Sequence, residues 1–247
     1  MTQADPVRTV RIGDADLAVE VRRAPRARRI TLRVDAATRR VILTLPPGVD
    51  PARGFAFLRE KQLWLQNRVA RMPQAVAFAD GAVIPFLGED HVIRHRPDAR
   101  GGVWREDGAL HVTGDPAHLP RRLQDWLKAE ARRELSAQTR AMAARVDRPV
   151  ARVSVRDTRS RWGSCTSAGA LSFSWRLVFA PRHVFDYVVA HEVAHLVELN
   201  HGPRFWRLVE DLCSDMDRGR AWLKRHGARL HGYGAADGAQ AGTTSSG

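Results

Sequence analysis

The stretch that most limits what this chain can be is HEVAHLVELNH, His191 to His201. On an α-helix, residues four apart lie one above the other, so His191 and His195 aim their imidazoles at a common point. Glu192 lies beside that face. In H-E-x-x-H sites this carboxylate does not ligate the metal but holds and deprotonates the metal-bound water. The spacing offers a third ligand in His201, six residues after His195 and just past a natural helix end. There Asn200 tolerates a left-handed conformation, and Gly202 with Pro203 starts a new helix. Three protein ligands plus water is the open coordination of a catalytic zinc, whereas structural zinc is usually closed by four protein ligands. Zinc lowers the water's pKa to about 7 and polarises the carbonyl or phosphoryl under attack, with Glu192 taking the proton and returning it to the leaving group. Mn, Co or Fe fits the same imidazole set. The competing reading is a core helix carrying satisfied histidines. Burying three neutral imidazoles without partners is costly, and with 10 His and 9 Glu in the chain a chance H-E-x-x-H with this third histidine arises in roughly 0.1% of shuffled sequences. The apolar neighbours Val188, Val189, Val193, Ala194 and Leu196 read as core.

The rest of the chain divides by pattern. From Val7 to about Leu45 the residues alternate, as in ITLRV and RVILTL, which predicts β-hairpins. PPGVDPARG breaks the pattern, and FAFLREKQLWLQNRV places Phe55, Leu58, Leu63, Trp64 and Val69 near helical spacing, a short helix on that sheet. A second β-like region runs from Ala82 to about Thr113. Composition shifts at GDPAHLP, and the stripe Leu123, Trp126, Leu127, Ala131, Leu135, Met142 and Val146 predicts one long helix from Pro120 to about Val146. VARVSVRD alternates as a strand, RWGSC and ALSFSWRLV flank the turn TSAG as a further hairpin, and Pro181 opens the helix with the motif. Three parts follow: a β-rich N-terminal region over residues 1–115 with one short helix, a catalytic domain over 116–231, and a flexible tail over 232–247. The sequence shows no internal repeat.

Composition adds bounds. A hydrophobic fraction of 44% over 247 residues is enough for a real core. Lys+Arg 40 against Asp+Glu 27 leaves a formal +13, which favours anionic partners and implies weak nucleic-acid association through a basic surface. All but three of those cations are arginine, a bias that coding composition alone can produce. Cys165 and Cys213 are far apart and form no C-x-x-C pair, so neither a disulfide framework nor a cysteine zinc site is indicated. MTQADPVRTV lacks a signal-peptide pattern and no run reaches 18 apolar residues; the expectation is a soluble, cytoplasmic protein with no membrane partner.

The third-ligand distance matches the metzincin pattern H-E-x-x-H-x-x-G-x-x-H, but Glu198 stands where that pattern has glycine. Glu198 lets the helix run about a turn further. The run VVAHEVAHLVELNHGPRFW instead resembles the YgjP-like zinc metallopeptidase family, relatives of the SprT-like and WLM domains. In that family the third ligand is the histidine of an N-H-[SG]-x-x-F-W element, here Asn200, His201, Gly202, Phe205 and Trp206. RSRWGSC and FDYVV extend the likeness, and RRITLRV and FLREKQLWLQNR carry it faintly toward the N-terminus. The segment Asp211 to Gly227 departs from it by lacking a proline after the second helix.

The resemblance implies an α+β fold: a gluzincin-like zincin catalytic domain, with a small twisted sheet over the HExxH helix, preceded by a β-rich N-terminal region. It implies His191, His195 and His201 as zinc ligands and Glu192 as catalytic base. It also implies an edge strand above the metal that pairs with an extended substrate, for which RWGSC is the candidate because Gly163 lets backbone approach closely. Arg161 is a candidate for a substrate carboxylate or phosphate, Trp162 for a core or rim anchor, and Tyr187, four before His191, for an oxyanion donor or a buried structural tyrosine. Cys165 reads as packing. Glu210 is an alternative third ligand of the gluzincin kind. The leading function is a zinc metallopeptidase acting on peptide or protein. The alternatives are a metal-dependent nucleoside triphosphate (UTP) pyrophosphatase, with RDTRSR holding the triphosphate, and a basic DNA-associated module with structural zinc.

Overall fold

A computed structural model describes residues 7–12, 15–35, 40–70, 75–158 and 160–235. The chain forms two compact units, Met1–Ala75 with Ala235–Gly247, and Val76–Gly234.

In the first unit, β1 (Arg8–Ile12), β2 (Ala15–Arg23), β3 (Thr31–Asp35) and β4 (Arg40–Leu45) form one sheet in the order β1-β2-β4-β3. The alternation predicts hairpins throughout, and β1–β2 and β3–β4 are antiparallel. Strands β2 and β4, however, are parallel, with Val19 opposite Val41 and Val21 opposite Leu43. The arginine-rich stretch 24–30 is therefore a crossover rather than a hairpin loop, and alternation alone carries no information about which strands pair. Val19, Val21, Val41, Leu43 and Leu45 are buried with Leu58 and Leu65. The single helix expected over 55–69 is two, α1 (Pro51–Glu60) and α2 (Gln62–Ala70). Asp50 caps α1 by accepting from Ala52 N at 2.8 Å. Leu65, seven residues after the buried Leu58, keeps the same helical face and is fully buried, while Leu63 (75% exposed) and Trp64 (48%) face out.

In the second unit, β5 (Val83–Phe86), β6 (Glu89–Arg96), β7 (Val103–Glu106) and β8 (Ala109–Thr113) pair in the order β5-β6-β8-β7. Strands β6 and β8 are parallel, and the outer pairs are antiparallel. This repeats the plan of the first sheet, down to an Asp-Pro cap after the last strand, where Asp115 accepts from Ala117 N at 2.8 Å. The sequence carries no such repeat; the duplication lives in topology. A 27-residue helix, α3 (Leu119–Arg145), follows as its stripe predicts. The next strands, β9 (Arg152–Arg156), β10 (Gly163–Cys165) and β11 (Ala170–Ser174), form a small sheet in the order β10-β11-β9. The β10–β11 hairpin around residues 166–169 is antiparallel and β9–β11 parallel. Helices α4 (Arg182–Ala194), α5 (Pro203–Leu212) and α6 (Met216–His226) complete the unit.

One hydrophobic cluster runs through this unit, joining Ile84, Phe86, Ile93, Leu110 and Val112 of the sheet to Leu123, Leu127 and Leu135 of α3 and to Phe173, Val189 and Val193. The second four-stranded sheet thus shares its core with the helices that follow it, whereas the sequence reading grouped it with residues 1–115. Past α6, the chain is tied down by Arg176, buried at 6% exposure, which donates to Asp157 at 2.8 Å and to the carbonyls of Leu230 and Tyr233 at 3.3 and 2.8 Å. Of the stretch read as a tail from Gly232, Tyr233 bridges Val76, and residues 236–247 lie outside the described residues. No described helix is long and apolar enough to cross a membrane.

Candidate metal centre

Helix α4 is entered from Pro181, whose ring pre-sets φ, and runs to Ala194, with Val184, Phe185, Val188, Val189 and Val193 packed inward. Its last turn presents His191 and Glu192, and His195 is its C-cap. Two expectations about this end are corrected. Glu198 does not lengthen the regular helix, which ends at Ala194: one further turn follows in mixed form, with Leu196 N bonding Val193 O and Val197 N bonding Ala194 O at 2.9 and 3.1 Å and Glu198 N bonding Ala194 O at 2.9 Å. Nor is Asn200 left-handed, since it is absent from the positive-φ residues. His201 is swung back by a tight turn in which Gly202 N donates to Asn200 O at 2.8 Å, and α5 then starts at Pro203.

The result is convergence. One ring nitrogen from each of His191, His195 and His201 lies within 4.8 Å of the others, and the Nε2 atoms of His191 and His201 are 3.1 Å apart. Glu210, exposed on α5, is not part of this group. Because a carbonyl can only accept, the 3.0 Å contact of His195 Nδ1 with Glu198 O makes Nδ1 the protonated nitrogen and leaves the Nε2 lone pair free. Burial, with His195, His201 and Arg220 nearby, lowers the His191 pKa to about 4, and burial also lowers that of His195. Both shifts favour the neutral imidazole of His191 and His195, the form that offers a lone pair to a metal. Phe205, fully buried, packs within 5.0 Å of all three rings, centroid to centroid. His191 Nδ1 is buried with no hydrogen-bond partner among the described residues.

Glu192 is 6% exposed. Burial raises its pKa to about 7 against the opposing charge of Arg161, a proton affinity suited to both taking and releasing a proton near neutrality. The strand β10 runs directly over it: a Cβ on Gly163 would sit 2.5 Å from the Glu192 carboxylate oxygen, so only glycine allows this approach. β10 is an edge of its sheet. Cys165, the last residue of β10, has its pKa raised to about 11 by burial and by Glu192, which keeps it a thiol and agrees with a packing role.

The remaining candidates are distributed as follows. Tyr187 is buried at 8% exposure with its ring 6.0 Å from that of His191, and Gly219 of α6 lies against its Cβ. Trp162 stacks on His231 at 4.9 Å. Arg161 is exposed, and Arg159 lies outside the described residues. A residue not singled out in the sequence is Arg220, whose guanidinium lies 4.8 Å over Trp206, itself beside His191 and His201. Only the packing of α6 on α4 brings it there, and no motif marks it. Beside His195 an open cavity of about 410 Å³ is lined by Arg148, Leu196, Val197, Leu199 and the 166–169 turn.

No curated protein and no solved structure matches the chain. The model of the YgjP-like metallopeptidase domain matches residues 28–226, from the first sheet through α6 and across the histidine cluster. The chain belongs to the YgjP-like metallopeptidase family.

Proposed function

We propose that the protein is a zinc-dependent peptidase of gluzincin-like architecture in which His191, His195 and His201 hold the ion and Glu192 is the general base. The observation that carries this reading is the convergence of three imidazoles beside a buried carboxylate that lies under a sheet edge. The donor set fits zinc: nitrogens at about 2.0–2.1 Å from a tetrahedral ion stand roughly 3.3 Å from one another, close to the 3.1 Å between His191 and His201. When bound, such an ion lowers the pKa of water and polarises the carbonyl under attack. Glu192 accepts the water's proton and delivers it to the leaving amine. The open side of β10 offers backbone groups to an extended chain, and Gly163 keeps that strand close to Glu192. Arg161 supplies a cation near Glu192 for a substrate carboxylate, Trp162 borders the strand, and Tyr187 stands on the His191 side of the centre. Together these favour a peptide over a compact nucleotide.

The test is metal content and peptide turnover measured side by side. Wild type binds one zinc per chain and cleaves a peptide library; Glu192→Gln keeps the zinc and loses cleavage by at least about 10²-fold; His201→Ala loses the zinc. Stoichiometric zinc in His201→Ala would remove the third ligand, and inertness toward peptides with turnover of UTP would replace the peptidase by a pyrophosphatase.

A further inference from the structure

The positive charge of this chain is not spread evenly. Residues 1–75 hold 15 of its 40 Lys and Arg but only 7 of its 27 Asp and Glu. That leaves +8 of the formal +13 on less than a third of the chain. Most of the described carboxylates there are already engaged: Glu20 with Arg22 at 2.6 Å, Glu60 with Lys61 at 2.8 Å, Asp35 with Arg33 at 3.9 Å, and Asp50 as the cap of α1. Asp16 stands opposite Arg11 across β1 and β2.

Three of these arginines border one concavity, an open groove of about 770 Å³ where the crossover 24–30 meets the loop after β4 and the start of α1. Arg28, Arg29 and Arg53 stand on its rim, all exposed, and among the described residues none of them pairs with a carboxylate. Its lining between them is apolar, from Ile30, Val49 and Phe57. The groove is held in shape by the fold: Arg23 Nη1 donates to Val49 O at 3.1 Å, and Ala24 N to Leu45 O at 3.1 Å.

We propose that this groove binds single-stranded nucleic acid, with the three guanidiniums on successive phosphates and an unstacked base against Phe57. Guanidinium is the side chain that matches phosphate geometry bidentately, and an aromatic within a basic groove is the sequence-tolerant way to hold a base. A duplex presents phosphates but no free base face, so it leaves the apolar lining unfilled. The groove lies wholly within residues 28–57 and uses none of the metal-site residues, so it stands or falls independently of the peptidase reading.

The test is fluorescence anisotropy of the full-length protein with labelled dT20, rU20 and a 20-base-pair duplex over a salt series. Three phosphate contacts on a single strand predict a slope of log K against log salt of about −2, and loss of all three in R28A/R29A/R53A weakens binding about 100-fold at 0.1 M salt and removes that slope. Phe57→Ala weakens binding about 10-fold while leaving the slope unchanged. The charge-matched control R121A/R132A/R140A, exposed on α3, retains wild-type binding. Comparison of dT20 with rU20 tells which strand is preferred, and tight binding of either supports the assignment. Equal losses in the control and the groove variant, equal or tighter binding of the duplex, or no binding to either strand at 50 mM salt would each overturn it.

Discussion

Gly163→Ala is the sharpest perturbation the site offers. The added methyl would stand 2.5 Å from both Cγ and Oε1 of Glu192 and 2.8 Å from its Cδ, where an ordinary contact needs about 3.5–4 Å, so the carboxylate or β10 has to move by about 1 Å. Gly163 is not among the positive-φ glycines, so alanine fits its backbone and only the contact is costly. Overpacking of this kind destabilises by about 1–3 kcal/mol, partly offset by the ~0.5–1 kcal/mol that alanine recovers from the unfolded chain. For a unit of this size each kcal/mol lowers Tm by about 2–4 °C. A 1 Å displacement of a general base costs about 10²-fold in kcat/KM. The decisive assay is a thermal-stability double-mutant cycle with Glu192→Ala: removing the carboxylate gives the methyl room, so Gly163→Ala becomes neutral or stabilising there, a coupling of about 1–2 kcal/mol. An equal cost in both backgrounds would show that the close approach of β10 to Glu192 is not what requires glycine.

Two further perturbations probe the framework. Phe205→Ala removes the ring that backs all three histidines and costs about 3–5 kcal/mol, with zinc affinity falling in a chelator competition; unchanged affinity would mean that the rings hold their places without it. Arg176→Ala strands the carbonyls of Leu230 and Tyr233 and destabilises by about 2–4 kcal/mol, with faster hydrogen exchange over residues 227–234; protection equal to wild type would remove Arg176 as the clamp on that segment. The same pair sets an acid limb. Burial opposes ionisation of Asp157, but the hydrogen bond and charge of Arg176 outweigh it and lower its pKa. A lowered folded pKa stabilises above the unfolded value near 3.9 and the contribution is lost as pH falls through the folded one. Asp157→Asn therefore flattens part of the drop in Tm below about pH 4, and an unaltered acid limb would refute the linkage.

Local periodicity carried most of the elements. The long helix, the strand at residues 152–156 and the hairpin around 166–169 were legible because each is set by neighbours in sequence: an apolar stripe, an alternation, a turn-forming cluster. The histidine cluster was legible for the same reason, since four-residue spacing on a helix and a turn ending in Gly-Pro are local geometry. Where the reading departed, a distant partner decided. Leu63 and Trp64 lie near the stripe beginning at Phe55, yet the face that meets the sheet runs through Leu58 and Leu65, seven apart, and leaves both of them outside. Alternating residues 15–45 do not say that β2 pairs with β4.

By itself, then, the sequence determined which residues are capable of metal chemistry and which elements bear them, because those follow from side-chain type and backbone period. Only the tertiary structure decided what faces them: that β10 lies on Glu192, that Phe205 backs the three rings, that Arg220 approaches through Trp206, and that unpaired arginines gather around one groove. Such juxtapositions join residues tens of positions apart, and they depend on how packed surfaces meet rather than on any repeat or spacing along the chain.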